Sequence, residues 1–156
     1  MSAGPLLSAL EPDARADALR FADELDALAG SACLLGPGGE ILYVNDGWDR
    51  FAHENGGAPG ALGEHLLGKR YASYVGGREP RSFFEGLWLR VVGGQPVSYR
   101  AECDSARERR KLFTSFTPVR LGASFGALVV HELAVEEPAP PLHEASGAPR
   151  EASWTR

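Results

Sequence analysis

Residues 41–57, ILYVNDGWDRFAHENGG, decide the fold. A β-rich run ends at Asn45 and passes directly into a short amphipathic helix that closes on paired glycines. Asn45 or Asp46 suits the N-cap, because its side-chain oxygen can accept from the free N–H groups of the first turn. Trp48, Phe51 and Ala52 then recur at the i, i+3, i+4 spacing of a buried helical face. Asn55-Gly56-Gly57 tolerates left-handed dihedrals and stops the helix.

Upstream, residues 13–29 (DARADALRFADELDALA) form an amphipathic helix with Ala14, Ala18, Phe21, Leu25 and Leu28 on one stripe, ended by Gly30. ACLLGP and EILYVN read as two short strands joined by the turn Gly36-Pro37-Gly38-Gly39. Downstream, residues 58–70 are Gly-rich loop with a turn of helix at HLLG, and residues 71–75 carry no decisive pattern. Residues 80–92 form the longest helix of the domain, with Phe83, Phe84, Leu87, Trp88 and Val91 inward and Gly93-Gly94 as its stop. Three strands follow at about 97–103, 110–119 and 125–133. The segment from Ala134 holds Pro138, Pro140, Pro141 and Pro149 with little apolar content, so disorder is expected there. No internal repeat is visible.

Strand, Asn cap, short Trp/Phe helix and Gly-Gly resemble the start of a PAS sensor domain, in particular bacterial modules reading "VNxAWRRFAxENGG". Those modules continue with a helix, a strand leading to "EYPCHSP", an "RWF" strand, a "TP" bend and a last strand ending in "SHED". The corresponding segments here are PRSFFEGLWLRVVGGQPV, YRAECDSARERRKLF, TSFTPVR and FGALVVHEL. Three departures stand out. Asp104-Ser105-Ala106 occupies the His-Ser-Pro position, Leu112 replaces the Trp, and Leu133 replaces the final acidic residue. The resemblance therefore carries a fold but no particular ligand.

It implies an α+β architecture: a five-stranded antiparallel sheet with helices on one face and an N-terminal flanking helix. The expected domain organisation is a flanking helix over 1–30, a PAS domain over 31–133 and a disordered Pro-rich tail over 134–156. The last three strands are close enough in sequence for a meander, with the first two paired beside them. PAS cavities lie between the sheet and the long helix, here residues 80–92. Strand and helix patterns place Phe84, Trp88, Phe113, Ser115 and Val129 as candidate pocket residues, on a register that a one-residue slip would invert.

Composition fits one modest globular domain with tails. A chain of 156 residues defaults to one domain with a core of useful size. A net charge of −5 argues against a general nucleic-acid or anionic-membrane binder. No apolar run approaches the ~18–20 residues of a transmembrane helix. The N-terminus lacks a basic n-region and has acidic residues close behind a very short apolar patch, so a signal peptide is not expected. Cys33 and Cys103 are too few and too distant in sequence for a disulfide framework. A cytoplasmic location is expected.

Signals for chemistry are sparse. A flavin-reactive PAS carries Cys in a motif like "NCRFL", whereas the corresponding stretch GKRYASYVG has none. Cys103 and Cys33 read as strand and core residues. Haem-binding PAS domains draw an axial His from the long helix, and residues 80–92 contain none. His53, His65 and His131 lie elsewhere, and no CxxC or HxxxH supplies zinc spacing. Neither haem nor a flavin–cysteine adduct is expected, and the cofactor, if any, stays unknown. No nucleophile elbow, P-loop or dinucleotide fingerprint points to an enzyme. Asp46, Asp49 and Glu54 read as caps and solvated positions. His131 and Glu132, adjacent on a strand, diverge. The basic run DSARERRKLF reads as a solvated hairpin or, less simply, a docking or anion site.

Two functions follow. One is a stand-alone sensory or regulatory PAS module that binds a small ligand or a signalling partner, such as a histidine kinase or other regulator, without its own output domain. The other is a degenerate PAS scaffold with a filled core, used only for interaction or dimerisation; Phe83, Phe84, Trp88, Phe113, Phe116 and Phe125 have the bulk to fill it. The apolar stripe of residues 13–29 needs a partner surface: the helix can pack on its own sheet or pair with its copy in a second subunit, and the homodimer is the favoured expectation.

Overall fold

The computed structural model describes residues 4–54, 59–74, 81–104 and 108–138. Among these described residues six helices and five strands follow one another: α1 (Gly4–Ser8), α2 (Pro12–Asp26), β1 (Ser31–Leu35), β2 (Ile41–Val44), α3 (Asp46–Glu54), α4 (Gly63–Leu66), α5 (Tyr71–Tyr74), α6 (Arg81–Val92), β3 (Val97–Asp104), β4 (Glu108–Leu121) and β5 (Ser124–Pro138). The strands form one antiparallel sheet in the order β2-β1-β5-β4-β3. This is the α+β arrangement the sequence predicts.

The interior strand β1, between β2 and β5, is buried at all five positions, SACLL. Alternation is absent because both of its faces are covered. On the inner face Cys33 and Leu35 join Ile41, Trp48, Phe84, Leu87, Phe116 and Val129 in one core. On the outer face Ala32 and Leu34 meet Ala18, Ala22 and Leu25 of α2, together with Leu42, Val119 and Leu121.

That outer layer revises the expected bounds of the flanking helix and shows what its stripe meets. Pro12 supplies its first turn, where a missing N–H costs nothing, and the helix ends at Asp26, leaving Leu28 42% exposed. More important, Ala18 and Leu25 are fully buried against the chain's own sheet. The stripe for which the sequence predicts a homodimer through residues 13–29 is covered within a single chain. Leu7 of α1, an element without a sequence signal, completes the layer at 1% exposure.

Two polar ties fasten α2. The Asp17 carboxylate accepts from the Gly122 N–H at 2.9 Å, in the β4–β5 turn. Near the helix C-terminus, the Tyr43 phenol donates to the Asp26 carboxylate, with oxygen separations of 2.7 and 2.8 Å. Burial and this carboxylate push the Tyr43 phenol pKa up.

Asn45 joins α2, β1 and α3. Its Oδ1 accepts from the N–H groups of Ala32 and Trp48, each at 3.0 Å. Its Nδ2 donates to the carbonyls of Leu25 and Gly30 at 2.9 and 2.8 Å. The cap is therefore Asn45 rather than Asp46, and it is 1% exposed. Gly47 follows because the chain passes so closely that a Cβ there would collide with the Gly30 carbonyl.

The last strand is longer than the expected 125–133. β5 continues to Pro138, pairing with β4 back to Glu108. Its backbone register sets Arg110 opposite Glu136 and Arg109 opposite Glu137. The Asn55-Gly56-Gly57 stop, the hairpin tip at Ser105, Ala106 and Arg107, the Cys103 side chain and the segment 139–156 lie outside the described residues. No helix among the described residues is long and apolar enough to cross a membrane.

Candidate functional site

A cavity of about 580 Å³ opens between the β1–β2 turn, α5, α6 and the sheet. Leu35 and Phe116 are its sheet floor, Phe84, Leu87, Trp88 and Leu89 come from α6, and Arg70, Tyr71, Ala72 and Ser73 close the side opposite. Gly38, Gly39 and Glu85 complete the rim. The volume suits a small organic molecule, and the walls are mostly apolar.

Backbone pairing builds one wall. Gly68 N–H donates to Ile41 O at 2.7 Å, and Ile41 N–H donates to Lys69 O at 2.8 Å. Arg70 then bridges to Glu40, and Tyr71 N–H reaches Gly39 O at 3.0 Å. The segment before α5 is thereby held along the start of β2. Gly68 turns it at φ +86, in the left-handed region. Across the cleft, Trp88 Nε1 donates to Pro37 O at 3.2 Å and ties α6 to the β1–β2 turn.

Aromatic packing sets the depth of the cleft. The Tyr71 ring meets Phe116 edge-on at 5.5 Å and Phe84 at 6.3 Å between centroids. Phe83 and Phe84 in turn contact Tyr99. At the mouth, Leu89 is 72% exposed, a large apolar side chain facing solvent beside an apolar cleft.

One polar connection leaves this apolar wall. The Tyr71 phenol lies 2.7 Å from Nε2 of His131, and His131 Nδ1 lies 3.4 Å from Ser31 Oγ. Trp48 flanks the imidazole with its centroid 5.6 Å away. Burial lowers the His131 pKa to about 4, so the ring is neutral near pH 7. A neutral imidazole offers one donor and one acceptor. We assign the proton to Nδ1, because the phenol is the stronger of the two hydroxyl donors and makes the shorter contact.

The five candidate pocket residues separate. Phe84 and Trp88 stand on the cleft wall, and Val129 lies in the inner core. Phe113 and Ser115 do not face the cavity, and this corrects the sequence expectation. Phe116 pairs with Val97, and Thr114 with Tyr99, on the inner face. Phe113 opposes Arg100, and Ser115 opposes Ser98, so both point outward. Phe113 and Phe116 are three residues apart, so one must face each side. The sequence has no signal for which.

The sequence reading misses Tyr71 and His131. Tyr71 sits in the stretch without a decisive pattern, and His131 gains its place only through long-range packing. The usable signal was alternation along β5, which puts His131 on the same face as Ala127 and Val129.

Other candidates stay apart from the cleft. Cys33 is fully buried in the inner core, where burial pushes its thiol pKa up. His53 and His65 are exposed. Asp49 accepts from the Gly63 N–H at 2.8 Å and holds α4 to α3. Among the described residues no three His, Cys, Asp or Glu side chains gather as a metal site.

No protein-family model and no curated protein matches this sequence. Among solved structures, the PAS domain of Bordetella pertussis BvgS is similar at a TM-score of 0.54 and 20% identity, over 83% of this chain and 91% of that chain. At such identity the likeness bears on the fold, and the fold of this protein is PAS-like.

Proposed function

We propose that this chain is a sensory or regulatory module that takes a small, largely apolar molecule in its cleft and signals by contact with a protein partner. A histidine kinase or another regulator is a suitable class of partner. The observation that carries the reading is the cavity of about 580 Å³ lined by Leu35, Tyr71, Phe84, Leu87, Trp88 and Phe116. A scaffold with a filled core has no reason to keep such a space, since an apolar void forfeits packing. Non-enzymatic action is part of this proposal: the cleft contains apolar walls and solvated rim charges, with no nucleophile–base pair among its lining residues.

Native mass spectrometry and absorption spectra of the protein purified from its host should reveal a retained small molecule. Thermal-shift screening against compact apolar compounds should raise the melting temperature. Ala72→Trp, an exposed rim substitution aimed into the cleft, should remove the response while leaving the free protein's melt unchanged. A library without a stabilising compound, together with an unshifted native mass, would overturn the proposal.

A further inference from the structure

We propose that the Tyr71–His131 hydrogen bond transmits occupancy of the cleft to the junction between α2 and β1. This rests on the cleft being a ligand site. Tyr71 is both a wall of the cleft and the donor to His131 Nε2 at 2.7 Å. It stands on α5, a single turn of four residues that cannot hold itself without its surroundings. A molecule in the cleft therefore presses on a ring whose position depends on neighbours.

The phenol is the polar end of that ring, and His131 is its buried partner. Drawing the phenol away leaves a buried imidazole nitrogen without its donor, which penalises the old ring position. Two arrangements thus differ in energy by an amount the ligand can bias: bond kept with the cleft empty, or bond broken with the cleft filled.

Both sides of His131 lead to one place. Its cross-strand partner is Ser31, the first residue of β1, whose Oγ lies 3.4 Å from Nδ1. On its other side the imidazole meets Trp48, whose backbone N–H donates to Asn45 Oδ1. The Asn45 side chain in turn donates to the carbonyls of Gly30 and Leu25. A shift of His131 therefore reaches the end of α2 along two routes that meet at Asn45. The coupling element is this contiguous set of contacts, with Tyr71 and His131 as positioning residues.

Indole is a suitable probe, followed by amide and imidazole NMR on the full chain. In the wild type, indole should shift the cleft amides of Gly38, Gly39 and Leu89 and the junction amides of Gly30, Ser31 and Ala32 along one saturation curve. The His131 Nε2 resonance should move toward its non-bonded value. In His131→Gln, a residue outside the cleft lining, the cleft amides should still respond and the junction response should be lost. In Tyr71→Phe the junction response should be lost whatever cleft response remains. Junction shifts that survive in Tyr71→Phe would overturn the inference. Unmoved His131 ring signals at indole saturation would also overturn it, in the wild type and without reliance on either variant folding. Cleft amides that ignore indole in every form, together with a compound library that gives no stabilisation and an unshifted native mass, would remove the ligand-site reading itself, and the inference with it.

Discussion

Asn45 Nδ2 donates to the Leu25 carbonyl at 2.9 Å, so the residue that caps α3 also holds the last turn of α2. Its amide makes four hydrogen bonds in a site only 1% exposed. Asn45→Ala removes all four bonds. The Trp48 N–H keeps the Asn45 carbonyl and the Leu25 carbonyl keeps the Leu28 N–H, while the Ala32 N–H and the Gly30 carbonyl lose this partner. The substitution should therefore destabilise by on the order of 2–3 kcal/mol. Asn45→Asp should be no milder, because it replaces two donors by a carboxylate facing carbonyl oxygens. Urea melts of the two variants check this, and near-wild-type midpoints would remove Asn45 from its central place.

Trp48 is 5% exposed, and its indole N–H donates to the Ala61 carbonyl at 2.9 Å. Trp48→Ala should cost about 3–5 kcal/mol, as expected for a large buried aromatic. Circular-dichroism melting gives the value. Trp48→Phe keeps most of the packing and should fall between the two.

His131 makes stability depend on pH. Its folded pKa of about 4 lies below the ordinary 6.5, so the unfolded chain binds the proton more readily between those values. The contribution is complete above about pH 6.5 and is lost as pH falls toward 4. The difference corresponds to at most about 3 kcal/mol, reduced to the extent that the ring keeps some solvent contact. Denaturant melts across this window should show the loss, and His131→Gln should flatten the slope by the same amount.

The two phenylalanines of β4 test the face assignment. Phe116 is 1% exposed in the inner core, whereas Phe113 points outward and is only half-buried. Phe116→Ala should destabilise by about 3–5 kcal/mol and Phe113→Ala by much less. Equal losses would place Phe113 back in the cavity wall.

Leu25 tests what the flanking helix covers. It is fully buried against the sheet of its own chain. Leu25→Ala should lower stability by about 2–5 kcal/mol at any protein concentration. Melting that tracks concentration, with oligomer mass lost in Leu25→Ala by light scattering, would return this stripe to an intermolecular role.

By itself, the sequence determined the order of the longer elements and narrowed the cap at their centre to Asn45 or Asp46. Local rules sufficed where the signal was local: the apolar spacing of Trp48, Phe51 and Ala52, the Gly-rich turn before Glu40, and the long apolar helix ending at Gly93-Gly94. The motif order from Ser31 to Leu133 added the sheet. Tertiary structure alone decided what each apolar face meets. The stripe on α2 required a partner, but the same residues satisfy a second chain or the chain's own sheet, since burial is non-directional. Alternation likewise specifies that Phe113 and Ser115 share a face without saying which one. The Tyr71–His131 contact joins residues 60 apart in sequence, and its geometry follows from the pairing of β1 with β5 and of residues 68–71 with β2. No local pattern encodes such a bond, because neither residue's environment exists until the sheet has closed.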